Sequence, residues 1–304
     1  MGRAITVMEP FRSPFYGPQF VALAQGHFAD EGLDVTVRTA PRSAGTVEAL
    51  RTGEAQICLG GIMRSLEVAD RDGGLLPHFI EVNSRNGFFL LARDPQPAFR
   101  WSDLAGKTVL SFAEAPTPWQ CMLTVLRRAG VDPAAVRIER ARPTAEAVAA
   151  FRTGHGDYLE QGQPVVERLV AEGAAHVVAS MGEATGPVPF SSYMTTPEFL
   201  RREPDVVRAF TRAVYRTQRW IVEHDAAAMA AAIAPAFPDI ERDILVRVVD
   251  RYRRQQTWAR DPIVRRDGYE YLQQILLDGG FIRRRHRYED LIDTTVAEAV
   301  VRDA

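Results

Sequence analysis

The stretch Glu48-Ala-Leu-Arg51-Thr-Gly53-Glu-Ala-Gln-Ile-Cys58-Leu-Gly-Gly61 predicts a short helix, a stop at glycine and a brief apolar strand. A partial echo, Val148-Ala-Ala-Phe-Arg152-Thr-Gly154-His-Gly-Asp157-Tyr-Leu-Glu160, follows about 101 residues later. Glycine suits the residue just past a helix because it adopts the left-handed conformation without a Cβ clash. The spacing exceeds the ~20–50-residue period of a solenoid. The pair therefore indicates two similar α/β lobes, or else a coincidence of three residues.

Length and composition limit the function classes. A chain of 304 residues predicts one large or two medium domains. With 46% hydrophobic and 25% charged residues, the composition is that of an ordinary globular protein. The net charge of -2 provides no bulk field that would attract nucleic acid or an anionic membrane. No apolar run reaches the roughly 18 residues that are needed to span a bilayer.

Cysteine and histidine patterns give no sign of a metal or cofactor. The two cysteines, Cys58 and Cys121, form neither a disulfide framework nor a metal-binding motif. No histidine has the spacing of a metal ligand. We therefore predict no metal, no cofactor and no catalytic residue.

The N-terminus passes from Met1-Gly-Arg3 directly into a strand-like segment, Ala4 to Met8. This start contains neither the apolar region nor the cleavage site of a secretory leader. Two locations are therefore expected: the cytoplasm, or the periplasm if a leader was removed.

Strand patterns alternate with helical patterns along most of the chain. This alternation predicts βαβ units and a mainly parallel sheet, and therefore the α/β class. Proline-rich boundaries occur at 93–97 and at 183–189, and the sequence beyond Pro197 is almost entirely helical. The predicted strands are Ala4–Met8, Asp34–Thr39, Ala55–Leu59, Leu76–Val82, Thr108–Ser111, Val136–Glu139, Asp157–Glu160, His176–Ser180 and Phe190–Met194, with a further apolar run at Phe88–Ala92.

Several segments, in this order, resemble one known family. The chain is similar to the NMT1/THI5-like substrate-binding proteins of ABC importers, which include binders of aliphatic sulfonates, nitrate, taurine and thiamine pyrimidines. The resemblance extends from Ile5 to about Ile282 and is carried by Glu31-Gly-Leu-Asp34-Val, Gly45-Thr-Val-Glu-Ala-Leu-Arg-Thr-Gly53-Glu-Ala, Trp101-Ser-Asp-Leu-Ala-Gly-Lys107-Thr-Val, Leu126-Arg-Arg-Ala-Gly130-Val-Asp and Phe151-Arg-Thr-Gly154 with Asp157 and Pro164.

The resemblance implies a two-lobed type II periplasmic-binding-protein fold with a helical C-terminal tail. Lobe one would comprise 1–91 plus 191–304, and lobe two 92–190, with crossovers near Phe89–Arg93 and Pro189–Tyr193. A small-molecule ligand would lie in the cleft, and hinged closure would enclose it. An ABC permease and its ATPase would be the partners of a monomer.

Ligands of open α/β sheets lie beyond the carboxyl ends of the strands, and the family resemblance selects the same loops. Glycine at two of these positions would leave room for a ligand. The candidates in lobe one are Phe11, Arg12, Phe15, Tyr16, Ser43, Gly45, Gly60, Gly61, Asn83 and Arg85.

Lobe two contributes four candidates. Thr117 is predicted to cap a helix that begins at Pro118, and free N–H groups there favour an anion or a polar oxygen. Pro-Thr-Pro-Trp replaces the family's typical Gly-Ser/Thr loop, so Trp119 is a candidate for stacking. Tyr158 and Glu160 are expected to face the cleft. Glu160 would recognise an amino or ring N–H group, or would pair with a neighbouring arginine. Each aromatic candidate could instead pack against other protein side chains without touching a ligand.

Three functions are compatible with these patterns. The first is a solute-binding protein that captures a small, flat aromatic or heteroaromatic ligand, pyrimidine-like and with or without an anionic group. The second is an enzyme on the same fold: a desulfinase with Cys58 as nucleophile, a decarboxylase in which Arg12 or Arg85 holds a carboxylate, or a pyrimidine-biosynthesis enzyme. The Cys-rich motif and active-site histidine of the last group are not present. The third is a cytoplasmic metabolite-binding module without a transporter.

Overall fold

The computed structural model describes residues 2–304, and its strands form two five-stranded sheets. The first sheet has the order β2-β1-β3-β10-β4, and the second has the order β7-β6-β8-β5-β9. The strands are β1 (Arg3–Glu9), β2 (Leu33–Thr39), β3 (Ile57–Gly60), β4 (His78–Asn83), β5 (Phe89–Ala92), β6 (Thr108–Leu110), β7 (Arg137–Glu139), β8 (Tyr158–Gln161), β9 (His176–Ser180) and β10 (Ser191–Met194).

The two sheets repeat one topology, which confirms the predicted two-lobed α/β architecture. If the one antiparallel strand of each sheet is left out, the second of the remaining four strands in sequence lies at one edge, and the third occupies the centre. One strand of each sheet is antiparallel to its neighbours: β10 in the first and β5 in the second. Each antiparallel strand directly follows a crossing between the sheets, so the chain enters from the opposite direction.

The helices connect the strands and form the C-terminal tail. None of those among residues 2–304 is long and apolar enough to cross a membrane. They are α1 (Gly17–Ala24), α2 (His27–Asp30), α3 (Gly45–Thr52), α4 (Met63–Asp72), α5 (Thr117–Arg128), α6 (Thr144–Arg152), α7 (Val165–Ala171), α8 (Met181–Thr185), α9 (Pro197–Arg202), α10 (Pro204–Glu223), α11 (Ala226–Ile233), α12 (Arg242–Arg254), α13 (Arg266–Asp278), α14 (Tyr288–Leu291) and α15 (Thr295–Arg302).

The repeated Arg-Thr-Gly motif occupies equivalent positions in the two halves. The first copy ends α3 and precedes β3, and the second ends α6 and precedes β8. Gly53 has a φ of 75° and Gly154 a φ of 97°, the left-handed region that favours glycine. Because β3 and β8 are the central strands of their sheets, the motif marks the same structural unit twice.

The chain crosses between the sheets twice, and the crossing segments are hydrogen-bonded to each other. Val188 N donates to Ser84 O at 2.9 Å, and Phe190 N donates to Asn83 O at 2.8 Å. All four residues of β5 pair within the second sheet, so the first crossing lies at 84–88. The boundary expected at 91/92 therefore falls inside a strand, because the apolar run of β5 belongs to the following lobe.

The tail contacts helices of both halves. On the side of the first sheet, α10 packs against α1 and α2. On the side of the second sheet, α12 packs against α7, where Arg251 forms an ion pair with the buried carboxylate of Glu167. α13 packs against α5, where Arg128 Nη1 donates to the Tyr271 hydroxyl at 2.8 Å. The tail therefore braces the second sheet as well as the first.

Candidate functional site

A cavity of about 250 Å³ lies between the two sheets, where loops from both converge. Residues that follow β1, β3, β6 and β8 line it, as expected for the carboxyl ends of parallel strands. Seven aromatic side chains contribute to its walls: Phe11, Phe15, Tyr16, Phe88, Phe112, Phe190 and Tyr252.

The turn at Pro14–Tyr16 carries two of these rings, those of Phe15 and Tyr16. Hydrogen bonds from other parts of the protein hold its backbone in place. The Phe15 carbonyl accepts hydrogen bonds from Asn83 Nδ2 and Trp258 Nε1, each at 2.9 Å. Ser13 Oγ accepts a hydrogen bond from Phe15 N at 3.2 Å. The rings of Phe15 and Tyr16 lie 5.4 Å apart. Contacts within the protein therefore fix the position of this part of the wall.

Gly87, in the first crossing segment, lies directly against the Phe15 ring. A Cβ atom at this position would come within 2.3 Å of Phe15 Cε2. The absence of a side chain at Gly87 thus allows the crossing to approach the aromatic wall.

We expect Gly87→Ala to displace the Phe15 ring and to lower the free energy of unfolding by about 1–3 kcal/mol, the usual cost of overpacking. Urea unfolding of the purified variant measures this change. Gly162→Ala is the matched control, because its Cβ would meet Phe88 Cε1 at an ordinary 3.5 Å. Equal stability of the two variants would contradict the described contact.

A chain of hydrogen bonds joins the two halves at the edge of the cavity. Arg64 Nη2 donates to Ser43 Oγ at 3.0 Å, and Ser43 Oγ donates to Glu114 O at 3.1 Å. The Glu114 carboxylate accepts from Thr144 Oγ1 at 2.9 Å. These four residues all line the cavity, so the loops of the two sheets are in contact around it.

Eight of the fourteen residues that the sequence proposed as ligand contacts line this cavity. Their roles in binding stay predictions, but the structure brings them together in one place. They are Phe11, Arg12, Phe15, Tyr16, Ser43, Gly60, Gly61 and Thr117.

Tyr158 and Glu160 lie outside the cavity lining, contrary to the expectation from the sequence. The Tyr158 hydroxyl donates to Gln96 Oε1 at 3.0 Å, and Glu160 accepts from Ser111 Oγ at 2.5 Å with its side chain fully buried. Residues two apart in a strand share a face, and the next residue, Gln161, lines the cavity instead. The predicted cavity-facing residue of β8 was therefore wrong by one position, and neighbouring residues of a strand lie on opposite faces of the sheet.

Three further candidates also lie outside the cavity lining. A Cβ atom added at Gly45 would point towards Ala40 and lie 3.3 Å from its Cβ atom. Asn83 supports the Phe15 carbonyl from below rather than lining the cavity. Arg85 Nη1 donates to Gly182 O at 3.2 Å, on a second cavity of about 480 Å³.

Trp119 is half-buried beneath the Arg140 guanidinium, which lies 4.7 Å from the ring centroid. Its face is therefore occupied within the protein and does not line the cavity. Thr117 does line it, but α5 begins at Thr117 and Pro116 holds the capping position without a side-chain hydrogen bond. The predicted threonine cap was wrong, because the helix starts one residue earlier.

Several lining residues were not among the candidates predicted from the sequence. Gln161 ends β8, and Gly162 and Gln163 follow it, so the strand-end rule applied at the correct register would have selected all three. Tyr252 comes from α12 in the tail, and its place depends on tertiary packing that periodicity does not report.

Neither cysteine is arranged for nucleophilic chemistry. Cys58 and Cys121 are both fully buried, and burial raises the pKa of each thiol to about 12. Cys58 Sγ donates to Thr46 O at 3.2 Å. Among residues 2–304 there is no group of three or more His, Cys, Asp or Glu that could bind a metal ion.

Comparisons with known proteins agree with this geometry. A model of the NMT1/THI5-like family matches residues 13–228. Over 299 residues the chain is 31% identical to "Putative binding protein YtlA" of Bacillus subtilis (strain 168), covering 97% of this chain and 89% of that protein.

Two solved structures illustrate the shared fold. The periplasmic aliphatic sulphonate binding protein SsuA from Escherichia coli matches with a TM-score of 0.73 and 16% identity, over 93% of this chain and 95% of that chain. A mutant of DszB in complex with biphenyl-2-sulfinic acid matches with a TM-score of 0.74 and 15% identity, over 100% of both chains. At these identities the structures show the fold alone. The family model and the relative of 31% identity show that the chain, which has the periplasmic-binding-protein fold, belongs to the NMT1/THI5-like family.

Proposed function

We propose that this protein is a solute-binding protein of an ABC importer that captures a small, flat aromatic or heteroaromatic ligand between its two sheets. The observation that carries the proposal is the convergence of seven aromatic side chains on one cavity. Aromatic rings bind other rings through offset stacked or edge-to-face contacts, in addition to apolar burial.

The size of the cavity favours a ligand of one ring with short substituents. Its volume of about 250 Å³ lies just below the range of about 300–1,000 Å³ that is usual for small-molecule sites. Gly60, Gly61 and Gly162 contribute to this space, since they add no side chain to it.

One polar group in the wall favours a ring that carries a hydrogen-bond acceptor. Gln161 lines the cavity with only 2% of its surface exposed, and its Nε2 atom has no hydrogen-bond partner among the described residues. A buried donor without a partner is costly, and a ligand acceptor would remove that cost. A ring nitrogen or carbonyl of a pyrimidine-like ligand has this chemistry.

The family supplies the setting of the proposal. YtlA is described as a binding protein and SsuA as a periplasmic binding protein for aliphatic sulphonates. By extension, this protein would act in the periplasm as a monomer and deliver its ligand to a permease driven by an ATPase. Its aromatic walls favour ring compounds over alkyl chains.

A thermal-shift panel of pyrimidines, aryl carboxylates, aryl sulfonates and alkylsulfonates tests the proposal. At a ligand concentration of about 100 times Kd, binding adds about 2.7 kcal/mol and raises the melting temperature by several degrees. We expect this shift from ring compounds and not from alkylsulfonates. Turnover of any compound, or stabilisation by alkylsulfonates alone, would contradict it.

A further inference from the structure

A buried carboxylate lies beneath the cavity at the end of β1. Glu9 is the last residue of that strand, and its side chain is fully buried. Its oxygens accept hydrogen bonds from Arg12 Nε at 2.5 Å, Gln19 Nε2 at 2.5 Å and Thr39 Oγ1 at 2.8 Å. Burial raises the pKa of Glu9, and the contact with Arg12 opposes the rise. A buried carboxylate is tolerated only when it is paired in this way.

The arrangement fixes Arg12 through one nitrogen and leaves the rest of its guanidinium free. Nε binds Glu9, and the guanidinium carbon lies 4.8 Å from the centroid of the Phe20 ring. Within residues 2–304, Nη1 and Nη2 have no hydrogen-bond partner. The side chain lines the cavity and is 40% exposed. Four N–H groups are thus available on a guanidinium whose plane is set.

Arg64, the other arginine that lines the cavity, is differently placed. Its Nη1 donates to Glu67 and its Nη2 to Ser43, each at 3.0 Å. Both terminal nitrogens are already engaged in the protein. Arg12 is therefore the cation in this wall whose terminal nitrogens are free.

We propose that Arg12 binds an anionic group of the ligand, that Glu9 positions the guanidinium for this contact, and that the ligand is an aromatic monoanion. This inference rests on the proposed function, since it assigns one chemical group to the same cavity. A guanidinium can bind a carboxylate or a sulfonate through two parallel hydrogen bonds, and a fixed plane reduces the entropy lost on binding.

Gln19 and Thr39 strengthen the argument. They donate two neutral hydrogen bonds to Glu9, so the carboxylate is not satisfied by Arg12 alone. Phe20 covers one face of the guanidinium. Neutralisation of the Glu9 charge alone would not require Gln19, Thr39 and Phe20. Together these residues set the orientation of the Arg12 guanidinium.

Calorimetric titration with matched probes tests the inference. Benzoate and benzamide share ring and shape but differ in charge, and benzenesulfonate and benzenesulfonamide form a second pair. We expect the wild-type protein to bind one acid at least tenfold more tightly than its amide. The pair that shows the preference distinguishes a carboxylate ligand from a sulfonate ligand.

Three variants separate the roles. Arg12→Met should abolish the preference for the acid while benzamide or benzenesulfonamide still binds. Glu9→Gln keeps the shape but loses the charge that fixes Nε, and it should reduce the preference without weakening the amide. Arg85→Met is the matched control, because that arginine does not line the cavity, and it should retain the full preference.

The outcomes distinguish this inference from the proposed function. Equal binding of acid and amide by the wild-type protein, or an unchanged preference in Arg12→Met, overturns the role of Arg12 and leaves an aromatic site. A Glu9→Gln variant that weakens acid and amide alike assigns Glu9 a purely structural role and overturns its positioning function. No binding of any of the four ring probes counts against both proposals.

Discussion

Gly60→Leu should weaken ligand binding by about 100-fold without unfolding the protein. Gly60 is the last residue of β3 and lines the cavity. Among the described residues, a Cβ at this position would meet only Met194 Cε within 4 Å, at an ordinary 3.7 Å. A longer side chain therefore has open space before it, and that space is the cavity.

The expected loss of affinity is on the order of 100-fold, because each misplaced methylene in an apolar pocket costs roughly tenfold or more. Calorimetric titration with the ring compound that stabilises the wild-type protein most would measure it. Gly60→Ala serves as the graded control and should lose much less. An unchanged Kd in Gly60→Leu, with an unchanged melting temperature, would place the ligand elsewhere.

Stability should fall as pH rises through the neutral range. Burial raises the pKa of Glu160 to about 7 and that of Glu81 to about 8, from an ordinary value of 4.5. Between pH 4.5 and the raised pKa of each group, the folded state binds more protons than the unfolded state. The stability that each neutral carboxyl contributes to the folded state is therefore fully present below about pH 4.5. It is lost as pH rises through the folded-state pKa of that carboxyl.

The variant Glu160→Gln should remove its share of this dependence. A pKa of about 7 against 4.5 corresponds to about 3 kcal/mol, so the variant should be more stable than wild type by up to that amount at pH 8. At pH 5 the two should be similar.

Urea unfolding between pH 5 and pH 8 measures the difference. Glu146→Gln is the control, since this carboxylate lies on the exposed side of α6. A Glu160→Gln variant with the same pH dependence as wild type would show that Glu160 is not titrating in this range.

Local patterns predicted most of the fold. Each predicted strand and the apolar run at Phe88–Ala92 correspond to a strand of the structure, and the two Arg-Thr-Gly motifs identified equivalent units of the two sheets. These features depend on short-range signals: strand periodicity, and glycine at a left-handed position such as Gly53. A sequence pattern reports such signals directly.

The remaining features depend on contacts that are distant in sequence. Antiparallel insertion of β5 and β10 follows from where the chain crosses between sheets, which composition does not specify. Tyr252 reaches the cavity from α12 only because the tail packs across both halves.

Two local details of the site also escaped prediction. A shift of one residue at the end of β8 exchanged Glu160 for Gln161. Glu9 lies beyond the predicted strand Ala4–Met8 and was not a candidate, and only the fold shows that it is buried beneath Arg12.

A crystal structure with the ring compound that raises the melting temperature most would test the central claim directly. The ring should lie in the cavity between the sheets, in contact with Phe15, Tyr16 and Phe112. Density for the compound at any other surface, with this cavity free of it, would contradict the assignment of the aromatic cavity as the binding site.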